Sequence, residues 1–229
     1  MPRNLIIHGG IYHPFASTSA VLAAIFDDCG VETDMTEDVE AGLAALADYD
    51  LLTINALRWR MLDHPKYLPF RDRYAMTLSD AGRAAIERHL TRGGALLGLH
   101  TAAICFGDWP GWGDILGGRW AWGRSFHPPE QQVEVRVAQG AHSICAGIED
   151  FVVTDEIFHH LEPTAAWHAL LTARATPDGA EQSLCWTHEW GAGRVFYDAL
   201  GHTKSSLLNR SHRQLLAQAT RWLLRMDTA

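Results

Sequence analysis

His100 is the residue from which chemistry can first be read. It closes a short apolar run in GGALLGLHTAAICF (residues 93–106) and is followed by small residues. That is the pattern of a buried strand turning sharply into a helix, with the central side chain standing clear of the backbone. In an open α/β sheet, ligands bind beyond the carboxyl ends of the strands, so a polar residue at this position is well placed. Imidazole serves as acid, base or metal ligand near neutral pH, but lacks the hydroxyl or thiol that acyl-transfer enzymes carry at such a turn. A buried histidine satisfied by backbone groups is the competing reading of this stretch. His8 and His202 also end apolar runs, His13 and His127 fall in loops, and Asp155-Glu156 follows a short apolar stretch. Two or three imidazoles with a carboxylate can hold a divalent ion with water in an open position, or form a metal-free acid–base set. His100, His202, His127 and Glu156 are therefore the catalytic candidates, and His127, Glu156 and His202 the ligands of a zinc or manganese ion. None of these residues falls in an HxH, HxxxH or HExxH pattern, and spacing does not choose between the two chemistries.

Around these groups stand candidate substrate contacts. Gly9-Gly10 allows the chain to turn tightly or a ligand to approach the backbone, between His8 and His13. Asn55 and Arg58 lie on the loop leaving the third strand, Thr101 follows His100, and Asp155 precedes Glu156. Of the 9 tryptophans, Trp109, Trp112, Trp120 and Trp122 share one loop, and Trp186 and Trp190 come later. An indole suits the apolar face of a sugar ring, and it suits a core equally well. Trp109, Trp112 and Trp186 are taken as substrate walls. His159, His160 and His168 read as plain strand or loop residues; His64, His89, His142 and His212 read as surface positions.

The elements that must position these side chains alternate. Strands are expected at Asn4–His8, Val31–Met35, Tyr49–Ile54 and the run ending at Leu99. Helices are expected from a Ser17 or Ser19 cap to Asp28, over Val39–Ala47, and from a Thr77 or Ser79 cap to Leu90. Such βαβαβ order implies a parallel sheet with right-handed crossovers. Arg60–Met76 reads as an irregular loop with the character of a lid or a solvated surface. Asp108–Pro129 is too aromatic and glycine-broken for a crossover helix and reads as an elaborated loop. Strands follow at Gln131–Ala138, Phe151–Thr154 and Ala165–Thr172, then a turn at Pro177-Asp178-Gly179. A hairpin of Ser183–Trp190 with Arg194–Ala199 and a closing helix over Leu207–Arg225 complete the pattern.

Composition bounds the rest. With 229 residues, 47% of them hydrophobic, the chain suffices for one well-buried α/β domain over residues 1–229. It holds no run of about 18 apolar residues, and its start does not read as a secretory signal, so a cytoplasmic protein without a membrane partner is expected. A net charge of -8 without a Lys/Arg cluster argues against nucleic acid. Four scattered cysteines suggest neither a thiolate zinc site nor a disulfide framework. A homodimer is the base-rate expectation for a domain of this size.

Taken in order, HGGIYHP, GGALLGLHTA, WPGWGDILGGRW leading to His127-Pro128, TDEIF, CWTHEWGAGRVFYDALGH and the closing helix with Arg221-Trp222 resemble the ThuA-like family, named for trehalose utilisation and related to class I glutamine amidotransferases. The resemblance implies a flavodoxin-like three-layer α/β sandwich, mostly parallel, with added antiparallel strands in the C-terminal half and a site at the turn. In the amidotransferase relatives that turn holds a nucleophilic cysteine, with its base histidine after the late strand. Here His100 stands at the turn and His202 after the late strand, so glutamine hydrolysis through a thioester is not expected. Cys105 lies beyond the turn and is a poor substitute. The family's association with disaccharide catabolism through 3-keto sugars implies an enzyme acting on a sugar or keto-sugar. A non-catalytic sugar-sensing or partner-binding protein that keeps the pocket is the alternative.

Overall fold

The computed structural model describes residues 1–138, 140, 142–174 and 179–226. One nine-stranded sheet runs through it, in the order β2-β1-β3-β4-β11-β10-β9-β6-β7. Its first five strands are β1 (Arg3–Gly9), β2 (Glu32–Thr36), β3 (Leu51–Ala56), β4 (Ala95–Leu99) and β11 (Gly193–Asp198). They are parallel throughout and reproduce the flavodoxin strand order 2-1-3-4-5. The other four, β10 (Gln182–Trp190), β9 (His168–Ala173), β6 (Gln131–Val137) and β7 (Phe151–Asp155), continue the sheet in antiparallel pairs. This is the flavodoxin-like α/β sandwich with added antiparallel strands.

The continuous apolar runs of the central strands follow from burial on both faces. Side chains alternate across a strand. Ile6, Leu97 and Phe196 accordingly join one core with α1 (Phe15–Asp28) and α7 (Arg210–Leu223). Leu5, Ile7, Leu96, Val195 and Tyr197 join the other, with α2 (Val39–Ala44) and α4 (Asp80–Thr91).

Several local expectations shift. α1 begins at Phe15 without a side-chain cap, since its N-cap residue is Pro14, which has no side-chain acceptor, and the expected caps Ser17 and Ser19 lie inside the helix. Ser79 does cap α4, accepting from Gly82 N. Arg60–Met76 is not wholly irregular: a 3-10 turn over Pro65–Phe70 and the short α3 (Arg71–Tyr74) interrupt it. The aromatic loop holds α5 (Pro110–Leu116), started by Pro110 at its first turn and ended by Gly117 in the left-handed region. It then forms β5 (Gly118–Arg119), paired with β8 (Glu162–Pro163). The closing helix is two, α6 (Lys204–Leu208) and α7, broken where the Asn209 side chain caps α7. Of the turn expected at Pro177-Asp178-Gly179, the first two residues lie outside the described ones.

β7 is the far edge strand, four pairings beyond β11, which in a flat sheet would put about 19 Å between them. Yet the Asp155 side chain at its end bonds the backbone of Gly201 and His202 just after β11. The antiparallel half therefore curls back over α6 and α7. Register shifts in β10 between Ser183, Cys185 and Trp186 supply the local bend, as bulges do.

Candidate active site

Four strand ends deliver the site. β1 runs into the loop that carries His13, β4 ends at His100, β7 ends before Glu156, and β11 leads to His202. His127 arrives from the loop between β5 and β6. Gly10 takes φ +142, and a Cβ there would sit 2.6 Å from the Leu57 carbonyl, so only glycine lets the His13 loop cross the end of β3. Gly201, at φ +104 and hard against Leu99, makes the matching turn before His202.

His100 itself adopts a left-handed backbone, φ +46, which costs energy in a non-glycine residue. Three hydrogen bonds hold it there. Tyr197 Oη donates to the His100 carbonyl at 2.7 Å, His100 Nδ1 donates to the Ala199 carbonyl at 2.6 Å, and Thr101 Oγ1 donates to the Ala56 carbonyl at 2.6 Å. After it the chain makes one 3-10 turn, His100–Ala103, in place of the expected helix. The imidazole is 2% exposed and lies on Phe158, ring centroids 4.5 Å apart.

Glu156 is the hub. Its Oε2 lies 3.4 Å from His100 Nε2 and 3.4 Å from His202 Nδ1, and its Oε1 lies 3.3 Å from His127 Nδ1. Burial pushes its pKa up, but the neighbouring His100 and His127 imidazoles outweigh that and hold it far below the usual carboxylate range. The hydrogen bond to Glu156, against burial, in turn raises His127. His13 closes the group, its ring 5.1 Å from that of His100 and 4.8 Å from that of His202. Burial, with the neighbouring His100, pushes His13 down to about 3. His13, His100, Glu156 and His202 each offer a donor atom within 4.8 Å of all the others. His127, expected among metal ligands, faces the other carboxylate oxygen and falls outside that set.

Asp155 differs from expectation. It is fully buried, so it meets no substrate. Its carboxylate accepts from the backbone N–H groups of Glu156 at 2.8 Å, Gly201 at 2.7 Å and His202 at 3.2 Å, clamping the β7 and β11 ends together.

Other expected substrate contacts are placed elsewhere. Asn55 is 2% exposed and donates to Thr18 and Ser19, fastening α1 to β3. Thr101 is occupied at the turn. Trp112 and Trp186 are fully buried, their N–H groups donating to the Ala102 and Leu116 carbonyls, and Trp109 packs in the same core. The exposed aromatics near the site are instead Tyr12, next to His13, Phe126, next to His127, and Trp122, which continues from His127 through Trp120. Composition gave no means of telling them apart from the buried ones. His8 and Arg58 flank Gly9 beside the exposed Glu37, 4.0 Å from Arg58, and burial lowers the pKa of both. Cys105 is fully buried and its thiol is pushed up to about 12, so it supplies no nucleophile. His89 and His212, expected at the surface, are 2% and 0% exposed. His212 pairs with the equally buried Asp198 at 2.7 Å. A cavity of about 700 Å³ between α2 and α4, lined by His89 and Trp190, lies at the opposite end of the sheet and holds none of the groups around Glu156.

A flavodoxin-like sheet with a strained histidine at the end of its fourth strand and a carboxylate shared by imidazoles defines an α/β protein with a site of acid–base or metal-binding character. The family model for trehalose utilisation, ThuA, matches residues 3–223, and the chain belongs to the ThuA family. Among solved structures it is similar to a ThuA-like protein from Parabacteroides merdae ATCC 43184, at 16% identity and TM-score 0.79 over 100% of this chain and 92% of that one. It is also similar to a cytoplasmic protein of Salmonella typhimurium LT2, at 12% identity and TM-score 0.68 over 96% and 99%. A β-galactosidase from Rahnella sp. R3 shares the fold over 96% of this chain and 31% of its own, at 14% identity and TM-score 0.59. No curated protein matches the sequence. Among the described residues, no helix is long and apolar enough to cross a membrane. Family membership gives the chain a role in carbohydrate metabolism.

Proposed function

We propose that this protein is a cytoplasmic enzyme that isomerises, epimerises, eliminates on or hydrolyses a sugar or keto-sugar by histidine and carboxylate acid–base chemistry. The observation that carries the reading is the convergence of His100, His202 and His127 on the single buried carboxylate of Glu156, at 3.3 to 3.4 Å.

A carbonyl makes the hydrogen on the neighbouring sugar carbon acidic. A base removes that proton, and the electron pair moves onto the carbonyl oxygen. Return of a proton to the adjacent carbon isomerises, return to the other face epimerises, and departure of a β-substituent eliminates. The buried imidazole of His100 and the partly exposed one of His202 face Glu156 as an acid–base pair. His127, raised and 39% exposed at its side chain, is the group placed to exchange protons with substrate and solvent. A zinc or manganese ion, when bound, would polarise the carbonyl oxygen. Tyr12 and Trp122 offer exposed aromatic faces for a sugar ring. The partner in this reading is a small carbohydrate, not nucleic acid or a membrane, and the assembled form is a homodimer.

The test is deuterium exchange in heavy water, followed by NMR on trehalose and its keto derivatives. The expected result is exchange next to the carbonyl that falls about a hundredfold or more in His127→Ala and Glu156→Gln. Saturable binding of a sugar that stays chemically intact would replace this reading with that of a binding protein, which the histidine at the nucleophile position favours.

A further inference from the structure

We infer that His13, His100, His202 and Glu156 form a metal centre for a first-row divalent ion such as zinc or manganese, with His127 outside the coordination shell. This deepens the reading above and draws on it only for what the ion does in catalysis. Four buried polar atoms lack any hydrogen-bond partner here: His13 Nε2, His100 Nε2, His202 Nδ1 and Glu156 Oε2. Buried polar atoms are normally paired. One unpaired atom is an imperfection, but four from four different strand ends, on residues that share one cluster, need a common partner.

The tautomers say what kind of partner. A carbonyl can receive only an N–H, so His100 Nδ1 carries its proton toward Ala199 O at 2.6 Å, and His13 Nδ1 toward Ile11 O at 3.1 Å. In each neutral ring Nε2 is then a bare lone pair. His100 Nε2 faces the Glu156 carboxylate oxygen at 3.4 Å, acceptor against acceptor, an arrangement that a metal cation or a second ring proton between them relieves. Orientation of a ligating imidazole through its second nitrogen to a backbone carbonyl is the usual support of metal-bound histidine.

Spacing agrees. With bonds of about 2.1 Å the edge of a tetrahedral complex is roughly 3.4 Å, and the His100 and His202 nitrogens both lie at 3.4 Å from Glu156 Oε2. The donor atoms all lie within 4.8 Å of one another, so the widest separation requires closure by as much as about 1.4 Å. Three imidazoles and one carboxylate suit a borderline transition ion, while calcium and magnesium prefer oxygen. All four cysteines are buried, and none belongs to the cluster. With an ion bound, His100 and His202 act as ligands, and proton transfer falls to His127, on the far oxygen of the same carboxylate.

The experiment is titration of chelator-dialysed, tag-free protein with Co²⁺, read by its visible d–d absorption, followed by displacement with Zn²⁺ in a calorimeter. One ion per chain is expected. His13→Ala should weaken affinity about a hundredfold or more, and His127→Ala by no more than about tenfold. Circular dichroism confirms folding of both, and His202→Ala repeats the test if His13→Ala fails to fold. Absence of a stoichiometric cobalt signal, or an equal loss in His127→Ala and His13→Ala, overturns the inference. Cobalt is read without substrate, so binding without sugar turnover sinks the proposed activity and leaves the metal centre standing.

Discussion

Replacing Asp155 by asparagine tests whether the buried clamp sets the site. One carboxylate oxygen accepts from Glu156 N and His202 N, and the other from Gly201 N. An asparagine that keeps its oxygen on the first pair turns its own N–H₂ toward the Gly201 N–H, donor against donor. One buried N–H is left unpaired, at about 1–3 kcal/mol, and two charge-assisted bonds weaken to neutral ones, for a sum of roughly 2–4 kcal/mol. For a chain of this length each kcal/mol lowers the melting temperature by about 2–4 °C, so a fall of roughly 5–15 °C is expected. Because the clamp joins the end of β7 to the turn after β11, His202 should also drift from Glu156, and Co²⁺ affinity should fall even where the variant is fully folded. Thermal melts by circular dichroism at pH 7.5 and a cobalt titration at 15 °C give the two readouts. A melting temperature within about 2 °C of wild type would show that the three bonds contribute little net stability, and the argument from unpaired buried donors would fail.

Two further outcomes follow from the buried histidines. Burial holds His13 down to about 3 and His89 to about 4, from an ordinary 6.5, so below pH 6.5 the unfolded chain takes up protons that the folded one refuses. Each then costs about 1.4 kcal/mol per pH unit on acidification, and depressed Glu156 adds its own loss below about pH 4.5. Raised His127 and His212 oppose this, but urea midpoints should still fall from pH 7.5 to 5.5; a midpoint that rises would contradict the assignment. His212→Ala leaves the Asp198 carboxylate buried without its 2.7 Å partner and should cost about 3–5 kcal/mol by urea denaturation, with a loss under about 1 kcal/mol counting against a buried ion pair.

Much of the parallel half was legible in the chain, because strands buried on both faces write themselves as apolar runs and helices between them as periodic ones. The runs before His8, Asn55 and His100 marked three strand ends, and strand ends are where α/β sheets place chemistry. The motif order also carried the family. The fate of the tryptophans was not legible: Trp112 and Trp122 lie ten residues apart in one glycine-rich stretch, yet one is fully buried and the other exposed. α5 was hidden in the same stretch by glycines that propensity alone penalises. His89 and His212 sit on helix faces whose burial depends on what packs against them.

The sequence by itself determined the candidate set of His100, His202, His127 and Glu156, since residue type and position after apolar runs are local properties. Which of them meet was decided only by the tertiary structure. The curl of the antiparallel half, bent at β10 and fastened by Asp155, carries the end of the far edge strand back to β11 and sets Glu156 among imidazoles from β1, β4 and β11. It gives Oε2 to His100 and His202 and Oε1 to His127, and brings His13, read only as a substrate contact, into the donor set. Such contacts span from 29 residues of chain, His127 to Glu156, to 189, His13 to His202, and no local pattern encodes them.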